Sequence, residues 1–128
     1  MKVNPGSVVP IFSQIVSEVQ SAIAAGVFRE GERIPSAREM AKRLKVNPNT
    51  VQKAYAELVE LDVLESRRGL GKFVTQKGLR SALKQSEASI TAIFQQGVQL
   101  GRSAGISDRR LKQIYSQAVA SAPKRGTA

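Results

Sequence analysis

The stretch GERIPSAREMAKRLKVNPNTVQKAYAELVELDVLESRRGLGKFV, residues 31–74, decides the reading of this chain. Ser36-Ala-Arg-Glu39 has the form of a capping box, in which a serine hydroxyl and a glutamate carboxylate each serve the other's backbone N–H. Met40, Ala41 and Leu44 then give a short helix its inner face. Lys45 and Val46 make a turn, with Val46 as an inward anchor. Asn47 caps the next helix, and Pro48 occupies its first position, where no N–H is needed. The two caps stand only 11 residues apart. Val51, Ala54, Tyr55, Leu58 and Leu61 define the inner side of this helix. Asn49, Lys53 and Ala56 point away, flanked by Thr50 and Gln52. Leu64–Ser66 and Lys72–Thr75 are the lengths of hairpin strands, joined by the tip Arg67-Arg68-Gly69-Leu70-Gly71. Helix, tight turn, helix and glycine-arginine hairpin together spell a winged helix-turn-helix and make duplex DNA the leading ligand candidate.

Upstream, residues 1–9 are expected to be a loose arm. Ile11, Phe12, Ile15, Val16, Val19, Ala22 and Ile23 recur at helical spacing after Pro10. Gly26 is placed to end that helix as a left-handed cap, and Val27 and Phe28 should tuck back onto the core. Downstream, a boundary is expected at 76–78. Beyond it Leu79, Leu83, Ser86, Ile90, Ile93, Gly97, Leu100 and Ala104 alternate at spacings of four and three, the seam of a paired helix. Gly105 ends that helix. Ser107 starts another, with Leu111, Ile114, Tyr115, Ala118 and Val119 inward. The expected fold is mainly α with one small β-hairpin. A winged helix-turn-helix domain at 1–78 precedes a helical dimerisation region at 79–122 and a disordered tail at 123–128.

Composition narrows the function classes. The 128 residues contain no cysteine and no histidine, which excludes disulfides, thiolate or imidazole metal sites and Cys or Ser-His nucleophiles. Carboxylates fall on outer helix faces in no paired arrangement, so no enzyme, metal or cofactor is expected. No apolar run is long enough to cross a bilayer, and the N-terminus lacks the apolar core of a secretory signal. A cytoplasmic, nucleoid-associated protein is the expectation. Lys and Arg number 20 against 10 acids, a net charge of +10, which suits a polyanionic partner. Residues 1–78 carry 12 basic and 8 acidic groups, and residues 79–128 carry 8 and 2. The C-terminal part is therefore the denser in positive charge. Its Arg109, Arg110, Lys112, Lys124 and Arg125 suit either non-specific DNA affinity or an acidic partner protein.

Side chains that suit a duplex follow from the helix phases. Asn49 and Gln52 carry amides that can pair with adenine in the major groove, and Thr50 offers a hydroxyl and a methyl. Lys53 can reach a phosphate. Arg38, in the first turn of the shorter helix, is a phosphate clamp or else the partner of Glu39 or Glu57. Arg67, Arg68, Gly69 and Lys72 suit a phosphate ridge or a narrow minor groove. Glu57, Glu60 and Asp62 would be repelled by phosphates, so the end of the reading helix should tilt away. Asn47 is foremost a helix cap.

PSAREMA at 35–41, VNPNTVQKAY at 46–55, RRGLGKFV at 67–74 and PIFSQI at 10–15 together resemble the winged-helix domain of GntR-family transcription regulators. The match spans about residues 8–75. The short two-helix tail resembles the YtrA-type branch, in which the tail is a dimerisation element and the proteins are bacterial repressors. The resemblance implies a DNA contact for Arg38, Asn47, Asn49 and Thr50 at the helix start, and a minor-groove wing around Gly69. It implies a homodimer joined through Leu79, Leu83, Ile90, Ile93 and Leu100, reading a palindromic operator. Three positions depart from the family: Pro48 and Gln52 stand where arginine is frequent, and Asp62 where glycine is usual. Base preference therefore does not transfer from those relatives. A protein-interaction adaptor and a low-specificity architectural DNA-binding protein are the alternatives. Operator, regulated genes, direction of regulation and any small-molecule effector are not legible in these residues.

Overall fold

The computed structural model describes residues 1–124. Helices α1 (Ile11–Ala24), α2 (Ala37–Leu44) and α3 (Pro48–Glu60) are followed by strands β1 (Leu64–Arg67) and β2 (Gly71–Val74). Helices α4 (Gln76–Ser103) and α5 (Asp108–Ser121) complete the chain. Two compact units result, 1–87 and 88–128, with α4 contributing to both.

In the first unit the apolar stripes meet as their spacing requires. Ile15, Val19, Ala22 and Ile23 of α1 pack with Met40, Ala41 and Leu44 of α2 and with Val51, Ala54, Tyr55 and Leu58 of α3. Ile34, Val63, Leu64 and Val74 close this core from the hairpin side. Gly26 (φ 78°) follows α1 in the left-handed conformation. Its N–H donates to Ile23 O and the Val27 N–H to Ala22 O, satisfying carbonyls that the helix end would otherwise orphan. The capping box of α2 is complete, with Glu39 N–H donating to Ser36 Oγ at 3.1 Å and Ser36 N–H to Glu39 Oε1 at 3.2 Å. The antiparallel hairpin pairs Leu64 with Val74 and Arg67 with Gly71. A third extended segment flanks it: Ile34 N–H donates to Lys72 O, and Arg33 bridges Phe73.

Several expectations are corrected. The first nine residues are not loose. Asn4 N–H donates to Gln14 Oε1 at 2.6 Å, Gln14 Nε2 donates to the carbonyls of Asn4 and Val9, and Val3 packs on the core. Phe28 is buried but Val27 is 62% exposed, because the turn after Gly26 admits only one of the two. Leu61 is 50% exposed. It sits just past the end of α3, where the chain turns through Asp62 in the left-handed region (φ 60°) and sends Val63 inward instead.

The expected boundary at 76–78 falls inside an element. α4 starts at Gln76, and Leu79 and Ala82 pack on the winged core, so the first unit runs to Glu87. Leu79 is thus occupied within its own chain and does not lie on the free seam. Thr75 organises the junction. Its hydroxyl accepts from Gly78 N–H at 2.8 Å and lies 2.5 Å from the Asp62 carbonyl, to which it donates. Lys77 Nζ stands 3.2 Å from the Asp62 carboxylate.

In the second unit α4 ends at Ser103, and Gly105 (φ 79°) turns the chain into α5, which Ser107 caps through Arg110 N–H. Gly101 is buried where the Leu111 side chain crosses it, leaving no room for a Cβ. Phe94 and Tyr115 meet edge-on, 5.7 Å between ring centres. The α5 residues expected inward are not buried: Ile114 is 39% exposed, Tyr115 54% and Val119 59%. Of the tail expected to be disordered, residues 125–128 lie outside the described residues.

Candidate nucleic-acid interface

The sequence at 45–49 sets the geometry of the proposed reading surface. Lys45 takes the left-handed conformation (φ 57°, ψ 49°), which ends α2 and lets α3 start three residues later, at Pro48. Asn47 Oδ1 accepts from Asn49 N–H at 2.8 Å. The Asn47 carbonyl group is therefore committed to the helix, leaving its NH2 for any ligand. With Val51, Ala54, Tyr55 and Leu58 locked in the core, Asn49, Gln52, Lys53 and Ala56 are exposed and Thr50 is half-buried.

Lys53 is not a free arm. Its ammonium lies 4.0 Å from the centre of the Phe12 ring on α1, a cation–π contact that restrains the charge. Arg38 is exposed on the first turn of α2 and makes no ion pair among the described residues, so pairing with Glu39 or Glu57 is not its role. Glu39 is spoken for by the cap. The hydrogen bonds from Ser36 hold its carboxyl below the usual range, with lesser help from Arg33 and Arg43. Tyr55 donates its hydroxyl to Pro35 O at 2.8 Å, tying α3 to the residue before the α2 cap, and burial pushes that hydroxyl's pKa well up.

The wing residues divide into held and free. The Arg67 guanidinium reaches Glu65 at 3.3 Å and lies 4.1 Å from the Phe73 ring centre, so stacking and charge together fix it along the hairpin. Lys72 Nζ donates to Ser66 Oγ at 3.0 Å. Arg68 and Leu70 are exposed at the tip. Gly69 (φ 76°) and Gly71 (φ 113°) bracket Leu70 in conformations that side chains resist. Between this hairpin and the flank of α3 runs a cleft of about 650 Å³, lined by Arg33, Ser36, Gln52, Val59, Ser66 and Lys72 among others. Arg33 is the rim cation that sequence reasoning passed over. Its only signal was the segment Arg33-Ile34-Pro35, whose pairing to β2 depends on a tertiary contact.

The helix-turn-helix and its adjoining hairpin lie within the stretch that comparison with known proteins matches. Residues 12–74 match the family described as bacterial regulatory proteins, gntR family. The chain is 30% identical over 115 residues to the HTH-type transcriptional repressor YtrA of Bacillus subtilis, covering 90% of this chain and 86% of that protein.

The chain belongs to the GntR family.

It is accordingly a DNA-binding transcription regulator and not an enzyme. The crystal structure of a transcriptional regulator from Oenococcus oeni shares the fold of this GntR-family chain with a TM-score of 0.72. It has 28% identity and covers 91% of this chain and 97% of its own. The DNA-binding domain of AraR, solved in complex with operator ORX1, matches with a TM-score of 0.54 at 29% identity, over 59% of this chain and 95% of its own. No helix among the described residues of this GntR-family regulator is long and apolar enough to cross a membrane.

Proposed function

We propose that this regulator represses transcription by binding a two-fold operator as a homodimer. The observation that carries the reading is the exposed start of α3, where Asn49, Gln52 and Lys53 stand clear of the core beside the Arg67–Lys72 hairpin. Asn49 and Gln52 present donor–acceptor pairs suited to adenine, and Thr50 adds a hydroxyl at the groove edge. Arg38 and Lys53 neutralise phosphates. The hairpin, with Arg68 and Gly69 at its tip, serves the adjacent minor groove. The cleft between α3 and the hairpin, rimmed by Arg33 and Lys72, separates the two surfaces assigned to the grooves and offers those cations to the intervening sugar–phosphate strand. Repression is supported by the likeness to YtrA, which is named a transcriptional repressor.

Dimerisation is supported by what the second unit leaves uncovered. Ile90 is 52% exposed, Ile93 63%, Phe94 53% and Leu100 73%, and α5 presents exposed Tyr115 and Val119. A monomer seldom leaves so many large apolar side chains in water along one helix. A dimer with closed two-fold symmetry requires an operator of the same symmetry, with half-sites separated by a whole number of helical turns.

Light scattering on the full chain and selection from random duplexes test the two halves of the proposal. A dimer and an enriched palindrome are expected. A monomer removes the dimer. Selection without enrichment leaves an architectural DNA-binding protein.

A further inference from the structure

The second unit carries an excess of positive charge that neither its fold nor its apolar face uses. From residue 88 onward the sequence holds six basic residues and a single acid, Asp108. That acid is already engaged: Arg102 grips it with two nitrogens, at 3.1 and 3.3 Å. The same hydrogen bonds hold the Asp108 carboxyl below its usual range, with Lys112 adding only to the field. Arg109 makes no ion pair among the described residues, and Arg110 donates to the neutral Gln113 Oε1 at 3.1 Å. Arg109, Arg110 and Lys112 therefore stand in the opening turns of α5 without an acidic partner of their own. All three are exposed.

Their position is not explained by helix stability. Cations near the start of a helix oppose its dipole. Nor do they belong to the apolar face. On the α5 wheel Leu111, Ile114, Tyr115, Ala118 and Val119 share one side, Arg109 lies opposite, and Arg110 and Lys112 stand at the two borders of the apolar face. If the apolar face is covered by a second copy, Arg109 stays in solvent with Arg110 and Lys112 at the rim, and each copy contributes the same three charges. The polyanion already bound by this chain is duplex DNA. Once the winged unit engages it, a cationic surface on the same chain that reaches the duplex meets phosphates at high effective concentration, so individually weak contacts become effective.

We infer that Arg109, Arg110 and Lys112 form a second, sequence-independent contact with duplex phosphates, outside the winged-helix reader. It rests on the DNA-binding reading of the first unit but not on operator symmetry or repression. Because phosphates carry no base information, this contact adds affinity equally to operator and arbitrary DNA.

The test compares the full chain with the variant Arg109→Gln, Arg110→Gln, Lys112→Gln, following affinity against salt on a long arbitrary duplex and on the same duplex containing the selected operator. Three lost phosphate contacts per chain should lower the slope of log K against log salt by about 2 to 3 for each chain bound, roughly twice that for the proposed dimer, on both duplexes. The preference for operator over arbitrary duplex should not change. The charge-retaining variant Arg109→Lys, Arg110→Lys should restore the slope, which separates charge from any effect on folding. Unchanged slopes on both duplexes overturn the inference. A changed operator preference, or no recovery with lysine, overturns it as well. Absence of an operator preference in the wild-type chain would count against the repressor proposal alone, since the arbitrary duplex still reports on this contact.

Discussion

A β-carbon added to Gly78 would stand 2.5 Å from the carbonyl oxygen of Val63 and 2.9 Å from its Cα. The first turn of α4 thus lies directly against the backbone that leaves α3, and glycine is what permits the approach. Both opposing atoms are main chain and cannot rotate away. Gly78→Ala should therefore destabilise the protein by at least about 1–3 kcal/mol, the usual range for overpacking. Thermal unfolding followed by circular dichroism checks this, with a clear fall in Tm expected and an unchanged Tm contradicting the contact.

Lys45 offers the opposite substitution. It holds the left-handed conformation (φ 57°) that ends α2, at a cost of about 1–2 kcal/mol for a residue with a side chain. Lys45→Gly should stabilise by about 0.5–1 kcal/mol, the relief being partly offset by the greater freedom of glycine in the unfolded chain. A higher midpoint of urea unfolding at unchanged slope is the expected result.

The capping box gives a pH dependence. The Glu39 carboxyl is held low in the folded state by Ser36. Its contribution to stability is then fully present above the ordinary carboxylate range and disappears as pH falls through the depressed value. Ser36→Ala should cost about 1 kcal/mol at neutral pH. The stability gap between Glu39→Ala and the wild type should instead narrow as pH falls below the ordinary carboxylate range, where protonation of Glu39 weakens its half of the box in the wild type too. A gap independent of pH would show that Glu39 is not part of the cap.

Two neighbours on α3 should separate on DNA. Lys53→Ala should weaken binding to all duplexes alike and reduce the salt slope by about 1 for each chain bound. Asn49→Ala should instead cost about 1–3 kcal/mol on the selected operator and relax the preference at one base pair. Competition binding on single-position operator variants distinguishes them. If both variants lose affinity uniformly, Asn49 does not read a base.

What the chain announced in advance was local. Ser36 with Glu39, Asn47 with Pro48, and Gly26 and Gly105 act within a few residues, and each forms the cap its spacing implies. The apolar stripes of α1, α2 and α3 were legible because one helix face repeats. The errors came where a distant contact chose between neighbours. Val27 or Phe28, and Leu61 or Val63, are equally apolar, and only the turns through Gly26 and Asp62 decide which goes in. Leu79 reads as the first member of a regular seam, yet the winged core claims it. The hold of Gln14 on the arm, and the placing of Arg33 at the cleft rim, join segments far apart in sequence, which no periodicity encodes. Among the candidate interface residues, exposure was foreseeable from helix phase, but the pairing of Lys53 with Phe12 and of Arg67 with Phe73 was not.

The bond from Tyr55 to the carbonyl of Pro35 has a consequence for how the protein meets alkaline conditions. Because its surroundings keep that proton in place well past the point at which a free tyrosine would release it, the strut beneath the probing helix does not loosen as the medium turns basic. The scaffold that aims the reading helix therefore keeps its shape in mild alkali.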